Sequence, residues 1–477
     1  MVREQPGGPC KRHRPLPDDF WLVPDAASPT GAHVEFGVPD REPDVVRIFE
    51  ALAAATAGAD GFSPIGAIAL ELTDAPQLAS LPRTPEVSLD PLASIGLFDL
   101  TPGSPSFRVS VATTDHIPHD LLAIKEQVLA SDPPAFCVTG CPVPCPACGV
   151  AARTGAVAAI VTGLWEAPDW RDGQFLARDE NGAPVVTRTR FIRFTLALPA
   201  AARETPVPVT MYQHGSPGET QGEQLAFLRL IDGLGALDVL PLGQPDGRPD
   251  LDVAAPRTYV GISQGAIHGQ AFVTYAPELR AAALIVGGSR LTETLIHQDT
   301  SGTTPLLPGL LTVFPNLRPA DVWAGLALFQ LAFDPQDSHN HAAFLYRAPV
   351  EVAGTTRKAS VLVVEGVSDP QVPNNSTRSL AWLLGPIPHL EPVQQAVPFL
   401  TPQTGPIRAN VDAATTSAFM QYVPAGVPGI PPTPGCVGQP NGHFCAQSAA
   451  ESELQRTVFF QSALTDPAPV IVNPFAE

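Results

Sequence analysis

The stretch Thr258–Tyr275, TYVGISQGAIHGQAFVTY, contains a strand, a sharp turn and a helix. The apolar segment TYVGI predicts a buried strand, and the segment after the turn predicts a helix. Between them, Gly261–Gly265 fits the pattern G-x-S-x-G, in which a strand-to-helix turn projects a serine hydroxyl from a sheet. The two glycines allow close backbone approach without a Cβ clash. The alternative is an ordinary turn with an incidental serine, but the flanking elements favour Ser263 as a nucleophile.

Short apolar strands alternate with helical segments from about residue 206 to the end of the chain. The other predicted strands are Val207–Gln213, Ala281–Val286 and Ser360–Glu365. The predicted helices are Gln224–Leu234, Gln264–Tyr275, Ser376–Leu384 and Glu451–Leu464. Strands that are apolar throughout and alternate with helices indicate a mostly parallel sheet with helices on both faces.

The stretch Thr292–Arg347 contains no clear strand and interrupts this alternation. Helices are predicted within it at Ala320–Phe333 and His339–Tyr346. Open α/β sheets bind ligands at the carboxyl ends of their strands. We therefore expect an insertion over residues 290–350 that caps a site at this edge of the sheet.

The first 200 residues have a different pattern, with short apolar runs between turn residues, which predicts a mostly β region. These runs are Ile65–Leu72, Phe107–Ala112, Ala158–Leu164 and Phe194–Leu198. One helix is predicted at Pro43–Ala57, and Asp179–Gly182 predicts a hairpin turn. We expect a β-rich module over residues 1–200 and an α/β domain over residues 201–477.

The net charge of −19 argues against a nucleic-acid partner, because phosphate binding needs a positive surface. No segment approaches the roughly 20 apolar residues of a transmembrane helix. The acidic stretch Asp246–Asp252 has three acids around Arg248, which favours a solvated turn over a calcium loop. His339 and His341 are too isolated to indicate a metal site. The sequence implies no metal and no cofactor.

Six of the seven cysteines form two groups, four in one Pro-rich loop and two near the carboxyl end: Cys137, Cys141, Cys145, Cys148, Cys436 and Cys445. Zinc sites usually separate two ligand pairs by a longer loop, so two local disulfides are favoured over zinc or free thiols in the first group. Disulfides indicate an oxidising compartment, and we expect a secreted or periplasmic protein. The start MVREQPGGPC, which contains the remaining Cys10, lacks the apolar stretch of a signal peptide, so we expect a processed or truncated start.

Four motifs occur in chain order: YQHGSPG, GISQG, VVEGVSDPQVPN and NGHFC. Together they resemble the bacterial secreted lipase/esterase branch of the α/β-hydrolase superfamily, over residues from about 206 to 464. The resemblance implies an α/β-hydrolase fold for this half of the chain. The N-terminal half resembles the β-rich, immunoglobulin-like modules that precede some secreted hydrolases.

A serine of ordinary pKa needs a base, and the base needs an acid to orient it. The resemblance implies the chain order serine, acid, histidine, which assigns Ser263, Asp369 and His443. Glu365, at the end of the same predicted strand, is a rival acid. A disulfide between the cysteines that bracket His443 would restrain its imidazole near Ser263.

The HG pair at His214 resembles the oxyanion-hole loop of lipases and esterases. It implies that the N–H of Gln264 and an N–H of Gly215 or Ser216 stabilise the oxyanion. His214 itself is expected to be a structural loop residue.

The implied reaction is hydrolysis of a small-molecule or polymeric carboxylic ester through an acyl-enzyme. The cap and scattered aromatics suggest an apolar acyl or aromatic group. A peptidase or amidase could use the same triad, and a non-catalytic binding protein could retain the fold. The last alternative is motivated by spacing, because only 263 − 214 = 49 residues separate His214 from Ser263. A strand missing beyond the HG strand would expose or re-pair that edge.

Overall fold

The structure is a computed structural model, and its described residues are 22–26, 32–34, 46–47, 50, 116–173, 175–215, 221–242, 244–299, 312, 322, 325–326, 329–330, 333–397 and 399–475. The predicted strands Ile65–Leu72 and Phe107–Ala112 lie outside these residues, as do most of the predicted helices Pro43–Ala57 and Ala320–Phe333. The chain forms two compact units, Met1–Thr114 with Arg290–Pro335, and Asp115–Ser289 with Gln336–Glu477.

The α-helices of the described residues are α1 (His116–Ala130), α2 (Gln221–Gly233), α3 (Gln264–Thr274), α4 (Leu291–His297), α5 (Ser338–Tyr346), α6 (Asn374–Leu384), α7 (Gly442–Ser448) and α8 (Ala450–Thr465). The strands are β1 (Leu22–Pro24), β2 (Ala32–Val34), β3 (Phe136–Cys137), β4 (Gly149–Ala152), β5 (Val157–Asp169), β6 (Arg171–Asp172), β7 (Phe175–Leu176), β8 (Arg188–Pro199), β9 (Thr210–Gln213), β10 (Arg257–Ile262), β11 (Leu279–Ile285), β12 (Ser360–Gly366), β13 (His389–Leu390), β14 (Pro402–Gln403), β15 (Ile407–Arg408), β16 (Ser417–Tyr422) and β17 (Val470–Ile471).

The second unit is built around a seven-stranded sheet in the order β14-β13-β16-β12-β11-β10-β9. Every neighbouring pair in this sheet is parallel. Next to the edge strand β9, Tyr259 of β10 pairs with Met211 of β9 on one side and with Ala282 of β11 on the other. The predicted parallel sheet is confirmed, and the predicted strands correspond to β9, β10, β11 and β12. Strand β16 was not predicted.

Helices cover this sheet on both faces, and alternate residues of the strands divide between two apolar clusters. Val361 and Val363 of β12 pack in the cluster that includes residues of α2, α3, α5 and α6. Leu362 and Val364 of the same strand pack in the cluster that includes residues of α7 and α8. All seven residues of β12 are buried, as expected for a parallel strand between two helical layers.

A second, antiparallel sheet belongs to the same unit. The long strands β5 and β8 pair along their lengths, and β3 and β4 flank β5. Trp165 of β5 packs edge-on against Phe227 of α2, with ring centroids 5.7 Å apart, and helix α1 joins the same apolar cluster. The predicted boundary near residue 200 therefore falls inside this unit, because the residues on either side of it share one core. The turn predicted at Asp179–Gly182 is present, with Gly182 N–H donating to the Asp179 carbonyl (3.0 Å).

Strand β9 is the last strand of the seven-stranded sheet. Just before it, Val207 forms an isolated parallel bridge with Leu251. Val207 N–H donates to the Asp250 carbonyl (3.1 Å), and Asp252 N–H donates to the Val207 carbonyl (2.8 Å). This bridge precedes β9, and within the described residues β9 itself (Thr210–Gln213) remains the last strand of the sheet.

The first unit contains, among its described residues, the antiparallel pair β1–β2 and helix α4. It includes residues 290–335 of the expected 290–350 insertion. Helix α5 confirms the helix predicted at His339–Tyr346, but it belongs to the unit that carries the sheet. Within the described ranges, no helix is long and apolar enough to cross a membrane.

Candidate active site

The predicted nucleophile, acid and histidine follow strands β10, β12 and β16 of one sheet. Backbone hydrogen bonds continue across the sheet at this edge. Ser263 N–H donates to the Ile285 carbonyl at the end of β11 (2.9 Å), and Val367 N–H donates to the Tyr422 carbonyl at the end of β16 (2.8 Å). Because the carboxyl ends of parallel strands meet at one edge, the three segments begin at the same side of the sheet.

Ser263 occupies a strained turn between β10 and α3. Its φ of 55° and ψ of −121° lie in a region that residues with a side chain rarely adopt, at a cost on the order of 1–3 kcal/mol. The Ser263 carbonyl accepts the N–H groups of Ala266 (2.9 Å) and Ile267 (3.0 Å), which begins the helix. Such strain persists only where the surrounding structure imposes it, and it is concentrated at functional sites.

The glycines of this turn are required by close backbone contacts. A Cβ atom on Gly261 would lie 2.9 Å from the Cα atom of Ala266 and would collide with the Gly265 carbonyl. A Cβ atom on Gly265 would lie 2.7 Å from the His214 carbonyl oxygen. The strand, the helix and the loop after β9 therefore meet at the nucleophile with no room for side chains.

The loop after β9 lies against Ser263. A Cβ atom on Gly215 would be 3.1 Å from the Ser263 Cβ atom and 3.4 Å from its Oγ atom. Gln264 is the first residue of α3, and the first N–H groups of a helix have no intrahelical acceptor. Ser216, the other predicted oxyanion residue, lies outside the described residues. The neighbourhood of Gly215 and Ser263 suits backbone donors that face a reacting carbonyl.

The carboxylate of Asp369 is held on both of its oxygens. Oδ1 accepts the backbone N–H groups of Gln371 (2.8 Å) and Val372 (3.0 Å), and Oδ2 lies 2.7 Å from His443 Nδ1. The side chains of Asp369 and His443 are only 1% and 4% exposed. Since a carboxylate accepts, Nδ1 carries the proton of this bond and Nε2 keeps its lone pair. This is the tautomer that a general base requires.

Helix α7 brings His443 to the end of β12 through a contact between two glycines. A Cβ atom on Gly366, the last residue of β12, would collide with the Gly442 carbonyl oxygen. Asn441 caps the start of α7, and its side chain accepts the N–H of Phe444 (3.3 Å). The motif NGH therefore combines a helix cap, a residue without a side chain at the contact, and the histidine.

All six clustered cysteines form disulfides between near neighbours: Cys137–Cys141, Cys145–Cys148 and Cys436–Cys445. The local disulfides predicted for the Pro-rich loop are confirmed. Cys436 and Cys445, which lie on either side of His443 in the sequence, are completely buried. Their disulfide joins α7 to the short 3-10 turn Pro434–Cys436 and so restrains the helix that carries His443.

Glu365, the rival acid, is engaged by another residue. The Arg378 guanidinium donates to both of its carboxylate oxygens (3.0 and 2.9 Å), and the Gln421 side chain donates to Oε1 (2.8 Å). Burial raises the pKa of Glu365, while Arg378 opposes that rise. The pair joins the end of β12 to α6, whereas Asp369 is the acid that contacts the histidine.

Tyr259 of β10 holds the turn that carries Ser263 by a hydrogen bond to Gly265. This role was not predicted from the sequence. The Tyr259 hydroxyl lies 2.7 Å from the Gly265 carbonyl oxygen and 2.8 Å from Gln213 Oε1. A Cβ atom on Gly269 would lie 2.6 Å from its ring, so this glycine of α3 makes room for the tyrosine. The GxxxG spacing from Gly265 to Gly269 was a signal in the sequence for such a close contact.

Three further histidines, His214, His268 and His341, make contacts away from the Asp369–His443 pair. His214 Nδ1 lies 2.7 Å from the Gly215 carbonyl oxygen within its own loop. His268 Nε2 lies 3.3 Å from Gln264 Nε2 on α3, and burial lowers the pKa of His268. His341 Nδ1 lies 2.9 Å from the Tyr275 hydroxyl. Across the described part of the chain, no cluster of His, Cys, Asp or Glu is suited to a metal ion.

Comparison with known proteins finds no matching family model and no matching curated protein. Among solved structures, the chain is similar to acetyl xylan esterase 1 from Thermoanaerobacterium sp. at 10% identity and a TM-score of 0.31, over 66% of this chain and 90% of that one. It is similar to Pyrococcus horikoshii acylaminoacyl peptidase at 11% and 0.29, over 67% and 42% of the two chains. It is also similar to a CE15 glucuronoyl esterase from Teredinibacter turnerae at 13% and 0.26, over 57% and 74%.

Proposed function

We propose that this chain is a serine hydrolase of the α/β-hydrolase superfamily that cleaves carboxylic esters. The observation that carries the proposal is the buried 2.7 Å contact between His443 Nδ1 and Asp369 Oδ2, at the sheet edge where Ser263 occupies its strained turn. A buried His–Asp pair is costly unless its polar atoms are satisfied, and here both carboxylate oxygens have partners. This arrangement suits a histidine that gains and loses a proton during each turnover.

In the first half of the proposed reaction, His443 Nε2 removes the proton from Ser263 Oγ as Oγ attacks the ester carbonyl carbon. The carbonyl π electrons move to oxygen, and the N–H of Gln264 with an N–H of Gly215 or Ser216 stabilises the oxyanion. Each such donor is worth about 3–4 kcal/mol in a comparable site. Asp369 stabilises the imidazolium that forms.

Collapse of the tetrahedral intermediate breaks the ester C–O bond, and His443 gives its proton to the departing alkoxide. The acyl group remains on Ser263 as an ester. Water then attacks that ester, with His443 again accepting the proton, and the carboxylic acid leaves as Ser263 Oγ recovers its hydrogen. These steps need only the side chains and backbone of this chain and one water molecule.

The proposed substrates are small-molecule or polymeric esters, lipids and polyesters included. The three disulfides support export to an oxidising compartment, so we propose a secreted or periplasmic location. Cleavage of an amide would use the same groups of the protein, but the amine of an amide is a poorer leaving group than the alcohol of an ester. Matched ester and amide substrates with the same acyl group separate the two activities, and we expect the larger kcat/KM for the ester.

Labelling with a serine-reactive fluorophosphonate probe tests the proposal. We expect stoichiometric labelling of the folded protein and none of Ser263→Ala. Ser131→Ala is the matched control, because Ser131 lies after α1 and its hydroxyl donates only to the Val128 carbonyl (2.8 Å). Folded wild-type protein that neither labels nor hydrolyses any ester would leave a non-catalytic binding protein as the better interpretation.

A further inference from the structure

Asn374, the first residue of α6, closes the loop that carries Asp369. Its Nδ2–H donates to the Gly366 carbonyl (2.7 Å), and its Oδ1 accepts the N–H of Ser368 (2.8 Å). One half-buried side chain thus joins the start of a helix to the last residue of β12 and to the residue before Asp369. Two hydrogen bonds from a single carboxamide leave the loop little freedom to turn.

The bond to Ser368 holds an unfavourable backbone conformation. Ser368 has a φ of 58°, in the left-handed region that residues other than glycine seldom adopt. Its N–H can reach Asn374 in this conformation, and the conformation sets the direction in which Asp369 leaves the strand end. Without the acceptor on Asn374, the backbone of Ser368 would relax toward negative φ and would rotate the carboxylate of Asp369.

The bond to Gly366 acts on the histidine as well. Gly366 is the residue against which Gly442 packs, and a Cβ atom on Gly442 would lie 2.7 Å from the Gly366 carbonyl carbon. Gly442 directly precedes His443. The carbonyl bound by Asn374 is therefore at the point where the acid loop and the histidine helix meet, so a shift there moves both partners.

We propose that Asn374 is a positioning residue, which sets the orientation of Asp369 toward His443 through these two bonds. Its importance for turnover rests on the proposed hydrolase function, whereas its effect on the His443–Asp369 bond does not. The Glu365–Arg378 pair fastens the next turn of α6 to β12 independently. The helix consequently stays in place when Asn374 is replaced, and the change is confined to the loop.

Asn410 provides a matched control for Asn374→Ala. Its side chain also makes two bonds to backbone, donating to the Ser417 carbonyl (2.9 Å) and accepting the Ser417 N–H (2.9 Å). These bonds lie at the amino end of β16, the opposite end of that strand from the site. We expect Asn374→Ala and Asn410→Ala to lower the midpoint of denaturant unfolding by similar amounts.

NMR of each variant provides the deciding measurement. It follows the low-field resonance of the His443 N–H proton that is bonded to the Asp369 carboxylate. Asn374→Ala should shift or broaden this resonance, lower kcat roughly tenfold to a hundredfold with little change in KM, and displace the pH profile of kcat/KM. Asn410→Ala should leave all three unchanged. If Asn374→Ala keeps the wild-type resonance and kcat, the positioning role is overturned.

If Asn374→Ala does not fold, Asn374→Ser is the milder variant. It still tests the proposal, because the serine hydroxyl is too short to bond to both backbone groups. A shifted resonance in Asn374→Ser supports the positioning role, and an unchanged one overturns it. Different results would overturn the hydrolase function and the positioning role of Asn374. Absence of fluorophosphonate labelling in wild type removes the hydrolase function, while the resonance still reports whether Asn374 orients the pair.

Discussion

The two oxygens of the Asp369 carboxylate serve different partners: Oδ2 lies 2.7 Å from His443 Nδ1, and Oδ1 accepts the N–H of Gln371 at 2.8 Å. One oxygen holds the loop and the other orients the imidazole. Both carboxylate oxygens are thus held by groups of the protein, and groups fixed in this way need little reorganisation when charge develops beside them.

Replacing Asp369 with asparagine should remove activity without unfolding the protein. An asparagine amide donates to Nδ1, which moves the imidazole proton to Nε2 and leaves no lone pair there to accept a proton. We expect kcat on a small ester to fall about 10⁴-fold, the loss known for this substitution in characterised Ser-His-Asp triads. Asp412→Asn is the control, because Asp412 Oδ1 accepts the Ala414 N–H (2.8 Å) in a turn before β16. A loss smaller than about tenfold would exclude Asp369 as the orienting acid.

Gly261→Ala should destabilise the fold, since the added Cβ atom would lie 2.9 Å from the Ala266 Cα atom in a fully packed turn. Overpacking of this kind costs typically about 1–3 kcal/mol of unfolding free energy. Gly233→Ala is the control, because at the end of α2 the new Cβ atom would meet its nearest atom at an ordinary 3.4 Å. Urea denaturation distinguishes them, and equal midpoints for the two variants would contradict the close approach.

Removing the disulfide beside the histidine should weaken both stability and catalysis. Replacing Cys436 and Cys445 with serine frees α7 from the Pro434–Cys436 turn and places two hydroxyls in a buried position. We expect a loss of roughly 2–4 kcal/mol in unfolding free energy, together with a lower kcat.

The disulfide Cys145–Cys148 is the internal control for that experiment. It closes a shorter loop on half-buried residues, so its replacement by two serines should cost less and leave kcat unchanged. Thermal unfolding and ester hydrolysis are measured on both double variants. Thiol counting under denaturing conditions provides the direct check, and free thiols at Cys436 and Cys445 in exported protein would refute the pairing.

His389 should make the stability depend on pH. Burial lowers its pKa to about 4, whereas an unfolded histidine has a pKa of about 6.5. Between these values the unfolded chain binds a proton that the folded chain does not. The unfolding free energy therefore falls as pH is lowered from about 6.5 to 4, by up to roughly 1.4 kcal/mol per pH unit, while above 6.5 the contribution is fully present.

The variant His389→Leu keeps an apolar contact to Phe419, whose ring centroid lies 5.0 Å from that of His389, and removes the titrating group. Denaturant unfolding from pH 4 to 7 should show a flatter dependence for this variant than for wild type. His119→Leu, at an exposed position of α1, should keep the wild-type slope. An unchanged slope in His389→Leu would show that another group carries the dependence.

Strands β11 and β12 of the central sheet could be predicted because nearly all of their residues are buried and most of them are apolar. Strand β16 broke that pattern and was missed. It contains Gln421, whose side chain is buried and donates to Glu365 while accepting the N–H of Gln395. Polar residues satisfied by distant partners resemble loop residues in a sequence, since their partners are separated from them along the chain.

Helix α1 was missed for a related reason. Leu121, Ile124 and Val128 form a helical apolar stripe. The short apolar runs elsewhere in the first 200 residues nevertheless predict a mostly β region. The contact between Trp165 and Phe227 joins segments on either side of residue 200, and no local pattern indicates it. Ser263, Asp369 and His443 could be proposed from motifs, whereas the hydrogen bonds of Asn374 and Tyr259 involve backbone groups that only the fold brings to them.

The cysteine pairings have a consequence for how the protein matures. The three disulfides join residues separated by 4, 3 and 9 positions, although six cysteines allow fifteen pairings. The two cysteines of each pair emerge close together in time as the chain is synthesised or exported. Each cysteine is also close in sequence to its partner. Oxidation can therefore precede assembly of the sheet, and correct maturation should place little demand on a disulfide isomerase.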